Sequence, residues 1–103
     1  MILITSTLHT RPGQRERALE LALAHSERSR TEPGCIQHDV FLHPTDGDAL
    51  FFYEQWADQQ SIDDHFRKQT SIAFVASLAP LAADPLSLTI TPTGPSEVRE
   101  VAL

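Results

Sequence analysis

Hydrophobic and polar residues alternate along Ile2–His9, and again along Ile36–His43, Ala49–Trp56 and Leu86–Thr91, while the stretches between carry apolar residues at helical spacing. In the first stretch Ile2, Ile4, Ser6 and Leu8 fall on one face and Leu3, Thr5, Thr7 and His9 on the other. That period of two predicts a buried strand, central in its sheet. The run from Thr10 to Gln14, with Pro12 tolerated in the first turn, opens a helix whose inward stripe is Ala18, Leu19, Ala22, Leu23 and Ser26. Arg15, Glu16, Glu20, Glu27 and Arg30 lie mainly off the stripe, which predicts a solvated helix with one face on the sheet and no chemistry of its own.

Pro33 and Gly34 stop that helix, since proline cannot continue one and glycine accepts the left-handed conformation that ends one. The next two alternating stretches are rich in Val, Phe, Leu, Tyr and Trp, and Pro44–Asp48 between them has turn chemistry, so they predict a β-hairpin. Asp58 is placed to cap a short helix carrying Ile62, His65 and Phe66. Thr70 or Ser71 starts another, in which Phe74, Val75 and Leu78 face inward and Pro80 sits in or near the last turn. After Pro85, Leu86, Leu88 and Ile90 alternate with hydroxyls and predict a fourth strand. Past residue 92 only Val98, Val101 and Leu103 can anchor, which divides the chain into a domain over 1–92 and a C-terminal tail or arm over 93–103, reaching toward a partner subunit.

The order strand, helix, strand, strand, helices, strand is that of a ferredoxin-like α+β domain, βαββαβ, with an antiparallel four-stranded sheet and helices on one face. Both faces of the hairpin are apolar. Ile36, His38, Val40 and Leu42 line one face of its first strand, as Leu50, Phe52, Glu54 and Trp56 line one face of its second; Phe41, Phe51 and Tyr53 lie opposite. A sheet with one solvated face alternates more cleanly than this. We therefore expect helices on one side and a second copy of the chain on the other, a homodimer through the open sheet face.

Composition narrows the partners. The 103 residues carry eight Lys plus Arg and a formal net charge of −6, which excludes a dense basic patch for nucleic acid or an anionic membrane. The N-terminal apolar run is too short for a leader or a membrane span, and one cysteine cannot form an internal disulfide, so the cytoplasm is the expected location. Cys35 at the start of a strand reads as a small buried hydrophobe rather than a nucleophile.

The stretch Glu32–Val40, then Phe52–Trp56, the acidic cap at Asp58 and His65 followed by Phe66 resemble the antibiotic biosynthesis monooxygenase domain, of the dimeric α+β barrel group, from about Ile2 to Pro92. The resemblance implies that fold, a homodimer and a small cavity in each subunit. It marks the superfamily more sharply than the reaction, for the family includes cofactor-free quinol and anthrone oxygenases, haem-degrading enzymes and an isomerase of a phosphorylated sugar. Against the haem-degrading pattern, this chain has no Asn, and His65 and Val75 stand where that branch has its Trp and His. Against the polyketide-oxygenase pattern, Phe52, Ile62 and Ala76 replace Asn, Tyr and Arg, leaving only Trp56. Gln69, Thr70 and Ser71 occupy the place of a Pro-His-aromatic step found in quinol oxygenases.

The resemblance implies chemistry without a cofactor. Triplet O2 reacts slowly with closed-shell organic molecules, so such an oxygenase must convert its substrate to an electron-rich anion inside an apolar pocket. The candidate catalytic residues are His38 or Glu54 as base, with Trp56 and His65 as donors; Phe52, Phe66 and Phe74 are the candidate substrate-binding walls. Each has a plainer alternative: a strand histidine bonded to its neighbour, a carboxylate paired with His38 or an Arg, a core tryptophan, a rim histidine. His9, His25 and His43 share no ligand spacing, and His25 looks like a surface residue, so no metal is expected; no glycine-rich phosphate loop is present either. Three functions remain: a cofactor-independent monooxygenase of a small phenol or quinol, a non-oxidative isomerase or lyase of an enolisable compound, and a ligand-binding stress-response dimer.

Overall fold

In the computed structural model, which describes residues 1–103, the chain forms β1 (Ile2–His9), α1 (Arg15–Ser29), β2 (Cys35–Leu42), β3 (Ala49–Trp56), α2 (Gln59–Arg67), α3 (Gln69–Leu78), a 3-10 turn (Ala79–Leu81) and β4 (Thr89–Pro92). The strands lie in the order β2-β3-β1-β4 and every neighbouring pair is antiparallel. This is the expected ferredoxin-like α+β fold, with β1 central. No helix is long and apolar enough to cross a membrane.

Local chemistry explains most boundaries. Asp58 accepts hydrogen bonds from Ser61 N at 2.8 Å and Ser61 Oγ at 2.7 Å, capping α2. Gly34 has φ +83° and a Cβ there would collide with Ser61, so both backbone conformation and space require glycine. Arg30, just past α1, donates from Nε to the His38 carbonyl at 3.1 Å and from Nη2 to Asp39 Oδ1 at 2.8 Å, fastening the helix end to β2.

Several expectations need correction. Pro12 lies ahead of α1, in a turn with Gly13 at φ +78°, and the helix begins only at Arg15. Its buried stripe is Ala18, Ala22, His25, Ser26 and Ser29, while Leu23 is 51% exposed. The space under α1 is already taken by Leu8, Leu50 and Phe52, so small residues face in and the larger leucine is turned out. In β2 a bulge between Cys35 and Gln37 ejects Ile36 to solvent and gives its inward place to Cys35, which pairs with Trp56. Val75 is exposed rather than inward, and β4 starts at Thr89, leaving 85–88 without regular structure.

The core follows the sheet's helix-facing side. Leu8, Ala18, Ala22, Leu50, Phe52, Phe74 and Leu78 form one cluster, and Ile4, Trp56 and Ile62 a second. On the opposite side, register puts Phe41, Phe51 and Thr7 in one row and Asp39, Tyr53 and Thr5 in the next, with no element of this chain over them. All four residues of β4 are exposed.

Candidate functional site

Midway along each element the inward face changes from apolar to polar. On β1 Leu8 gives way to Ser6, on β3 Phe52 to Glu54, on α1 Ala22 to His25 and Ser26, and on α3 Phe74 to Ser71. To these β2 adds His38 and α2 adds His65. A layer of buried polar side chains thus lies between the two apolar clusters. It surrounds a cavity of about 70 Å3 whose polar lining is Ser6, His25, His38, Glu54, His65 and Ser71. Phe52 and Phe74 complete the walls, and the half-exposed Phe66, Val75, Leu86 and Leu88 form the mouth.

Hydrogen bonds fix these groups from behind. Ser26 Oγ and His38 Nδ1 share a bond of 2.8 Å, and the His65 Nδ1–H donates to Glu32 Oε1 at 2.9 Å. The Trp56 indole N–H donates to Glu54 Oε1 at 2.9 Å. His38 Nε2 lies 3.3 Å from that same oxygen but is not aligned as a hydrogen bond and has no protein partner. His25 stacks on Phe74 with ring centres 4.0 Å apart and planes 5° from parallel.

Four buried side-chain atoms lack a protein partner: Ser6 Oγ, His25 Nδ1, His38 Nε2 and Ser71 Oγ. All four belong to residues lining this cavity. An unpaired buried polar atom costs on the order of 1–3 kcal/mol, so their concentration at one place marks a surface shaped for something other than stability.

Burial sets the ionisation. It pushes His25 down to about 3, helped by repulsion from His38, His65 and Arg28, and His38 down to about 4, helped by His65 and Arg30. Both rings are neutral at pH 7. Burial also drives Glu54 up to about 7; the Trp56 N–H favours its ionised form and the nearby Glu32 opposes it. Cys35 is pushed up to about 11, first by burial and then by Glu32 and Glu54, so no thiolate forms there at neutral pH.

Of the residues singled out from sequence, His38, Glu54, His65, Phe52, Phe66 and Phe74 meet at this cavity. Trp56 does not: it is fully buried, absent from the lining, and its N–H is taken by Glu54 rather than aimed into the cavity. His25, expected at the surface, is 6% exposed and lies in the lining. Its signal was present, because Ala18, Ala22, His25 and Ser29 follow the four-three-four spacing of one helix face. Nor does the absence of spacing among His9, His25 and His43 speak to metal, since the histidines that cluster are His25, His38 and His65. Ser6, Ser71 and Glu32 carried no signal that separates them from ordinary polar residues.

A family model described as antibiotic biosynthesis monooxygenase matches residues 1–77. The uncharacterized protein sll1783 of Synechocystis is 28% identical over 89 residues, which are 86% of this chain and 60% of that protein, so the chain spans about three-fifths of this relative's length. YcnE of Bacillus subtilis, provisionally named a monooxygenase, is 28% identical over 91 residues, 88% of this chain and 96% of that one. A crystal structure from Deinococcus radiodurans, likewise provisionally named an antibiotic biosynthesis monooxygenase, superposes with a TM-score of 0.90 over 97% of this chain and 99% of its own. At 18% identity that likeness carries the fold alone.

Proposed function

The chain belongs to the antibiotic biosynthesis monooxygenase family, and from that premise we propose that it oxidises a small phenol, quinol or related enolisable compound with O2, with Glu54 as base and no organic cofactor. One observation carries this reading: Glu54 is the one carboxylate on the wall of an aromatic-lined cavity, and burial holds its pKa close to neutral. A base poised near the working pH combines availability with driving force and contributes roughly 10²–10⁴-fold to rate.

For a phenol with a free para position, Glu54 takes the hydroxyl proton and the phenolate passes one electron to O2. The radical pair joins through a C–O bond at the para carbon, and Glu54 returns its proton to the peroxide. Glu54 then removes the hydrogen of that carbon as the O–O bond breaks; the second carbonyl forms, and the departing hydroxide takes the proton to leave as water. One atom of O2 ends in the quinone and the other in water, with all electrons drawn from the substrate. His38, with the Ser26 hydroxyl on its Nδ1, presents Nε2–H to the developing anion; His65, whose Nδ1–H is spent on Glu32, is a second donor only in its doubly protonated form. Phe52, Phe66 and Phe74 supply apolar walls. Trp56 acts through Glu54, holding its carboxylate in place.

A benzene-sized ring needs a cavity of roughly 150 Å3, about twice the volume found. Substrate entry therefore requires the mouth to open, and Leu86 and Leu88 sit on the one lining segment without regular structure. The test is oxygen uptake with a panel of quinols and phenols under 18O2, expecting one labelled atom per product and loss of turnover in Glu54→Gln. Anaerobic exchange of solvent deuterium into an enolisable compound, without uptake, would replace this reading by the isomerase or lyase. Neither response would leave a binding dimer.

The same reading includes a homodimer through the open sheet face. The accessible surface is 6655 Å2, whereas a folded monomer of 11.5 kDa is expected to expose about 5800 Å2. Residues 94–103 are exposed throughout and carry part of that excess; the open face bearing Phe41, Phe51 and Tyr53 is the surface a second copy would cover. Sedimentation equilibrium should give a dimer, and Phe41→Glu, at a position 49% exposed in the single chain, should give a folded monomer. A monomeric wild type would overturn the assignment.

A further inference from the structure

We propose that His25, His38 and His65, with Glu54 as fourth ligand, form a binding site for a divalent first-row transition metal ion of the Zn(II) type. One ring nitrogen from each of the three histidines lies within 4.8 Å of those of the other two. In a tetrahedral site with Zn–N bonds of 2.0–2.1 Å, adjacent ligand atoms stand about 3.4 Å apart. The widest pair therefore needs to close by about 1.4 Å, within reach of small side-chain rotations. One edge is already set: His38 Nε2 and Glu54 Oε1 are 3.3 Å apart without hydrogen-bond alignment, the separation of two ligands sharing an ion.

Two further observations point the same way. His25 Nδ1 and His38 Nε2 are buried with no protein partner, and both belong to the cavity lining. His38 and His65 are each held through Nδ1, by Ser26 Oγ at 2.8 Å and Glu32 Oε1 at 2.9 Å, which is how metal-binding imidazoles are oriented, with Nε2 left as the donor. The Ser26 hydroxyl rotates to accept the Nδ1–H in this state. Three imidazoles and one carboxylate select Zn(II), Co(II), Ni(II), Cu(II) or Fe(II) over Mg(II) and Ca(II), which require oxygen ligands. About 70 Å3 holds an ion with a water or two, where a ring does not fit without opening.

This inference goes beyond the oxygenation proposed above and stands or falls apart from it. An ion there engages His38 and keeps Glu54 ionised, so metal and phenol are alternative occupants of one cavity. The experiment needs neither substrate nor O2. Full-length protein stripped with EDTA is titrated with CoCl2, followed by visible absorption, and with ZnCl2, followed by calorimetry. One equivalent per chain at micromolar affinity or tighter is expected, with the intense absorption of four-coordinate Co(II). His25→Ala and His65→Ala should each weaken binding at least 100-fold, and Glu32→Gln roughly 10–100-fold. The exposed His9→Ala and the half-buried His43→Ala, both away from the cavity lining, should leave it unchanged. If the core variants fail to fold, the Co(II)-loaded wild type still decides the matter through paramagnetically shifted Nδ1–H resonances of His38 and His65. Substoichiometric binding, binding lost with His9 or His43, or no shifted ring resonances would overturn the proposal.

Discussion

The two ends of the helix-facing side of this sheet are made by the same strands and helices, yet one is a core and the other a chamber. In the larger apolar cluster Leu8, Ala18, Ala22, Leu50, Phe52, Phe74 and Leu78 meet, and the buried Thr10 just beyond β1 has its hydroxyl satisfied by the Asp48 carbonyl at 2.9 Å. A turn or two further along those elements the inward residues are Ser6, His25, Ser26, Glu54 and Ser71, and the four unpartnered buried side-chain atoms all fall here. The first region gains from burial, at about 1.5–3 kcal/mol for a large apolar side chain. The second loses by it, since each unpaired polar atom costs on the order of 1–3 kcal/mol. The pairing of a stabilising block with a destabilised one lets the fold tolerate a layer that its own packing would not select.

That contrast can be broken by experiment. The largest effect expected is on activity: Glu54→Gln keeps the shape of the chamber and the bond from the Trp56 N–H while removing the proposed base, so turnover should fall by roughly 10²–10⁴-fold with little change in far-UV circular dichroism. Turnover within a few fold of wild type would return Glu54 to a structural role. Next comes Leu50→Ala in the apolar block, at a fully buried position. It should cost about 3 kcal/mol in urea unfolding, or roughly 12–24 °C in Tm for a domain of this size. A loss below about 1 kcal/mol would mean that the two regions do not differ as described.

The chamber should instead reveal itself through pH. Glu54 has its folded pKa raised from 4.5 to about 7, so its contribution is fully present below 4.5 and is lost as pH rises through 7. His25 and His38 are lowered from 6.5 to about 3 and 4, so theirs is present above 6.5 and is lost as pH falls through those values. Between 4.5 and 6.5 the two histidines outweigh the one carboxyl, and stability should rise with pH; around pH 7 the remaining titration of the unfolded-state histidines and that of Glu54 nearly cancel, and it should level off. In Glu54→Gln the rise should be steeper and continue past pH 7, and the variant should gain on wild type by roughly 3 kcal/mol between pH 4.5 and pH 8. Chemical denaturation across that range measures it, and parallel curves for the two proteins would remove the buried-acid argument.

The smallest effect is expected from Ser71→Ala. Its hydroxyl is 3% exposed as a residue and has no protein partner, so replacing it should be neutral or stabilising by about 1 kcal/mol, the reverse of a truncation in the apolar block. A clear loss of stability would show that the hydroxyl is satisfied in solution.

Much of this was legible in the chain. The four alternating stretches gave the strands, with β1 and β3 placed at Ile2–His9 and Ala49–Trp56 as expected, and Asp58 capped the helix it was expected to cap. His38, Glu54 and His65 stood out because ionisable groups on otherwise apolar faces need either partners or a role. His25 escaped because the two leucines beside the true stripe are more hydrophobic than the alanines and serines within it. Which side of α1 faces inward depended on how much room Leu8, Leu50 and Phe52 left beneath it. Ile36 was misplaced for a related reason, since a one-residue bulge reverses the alternation locally and leaves no mark in a pattern of period two.

By itself, then, the sequence determined the element order, the sheet-forming faces and the family resemblance, because periodicity and turn chemistry are local properties carried by neighbours in the chain. Only the tertiary structure decided that Trp56 turns its N–H to Glu54, that His25 belongs with His38 and His65, and that every unpartnered buried polar side-chain atom borders one cavity. Those facts depend on side chains from β1, α1, β2, β3, α2 and α3 converging on one small space, and separations between distant elements are set by packing volume rather than by spacing along the chain.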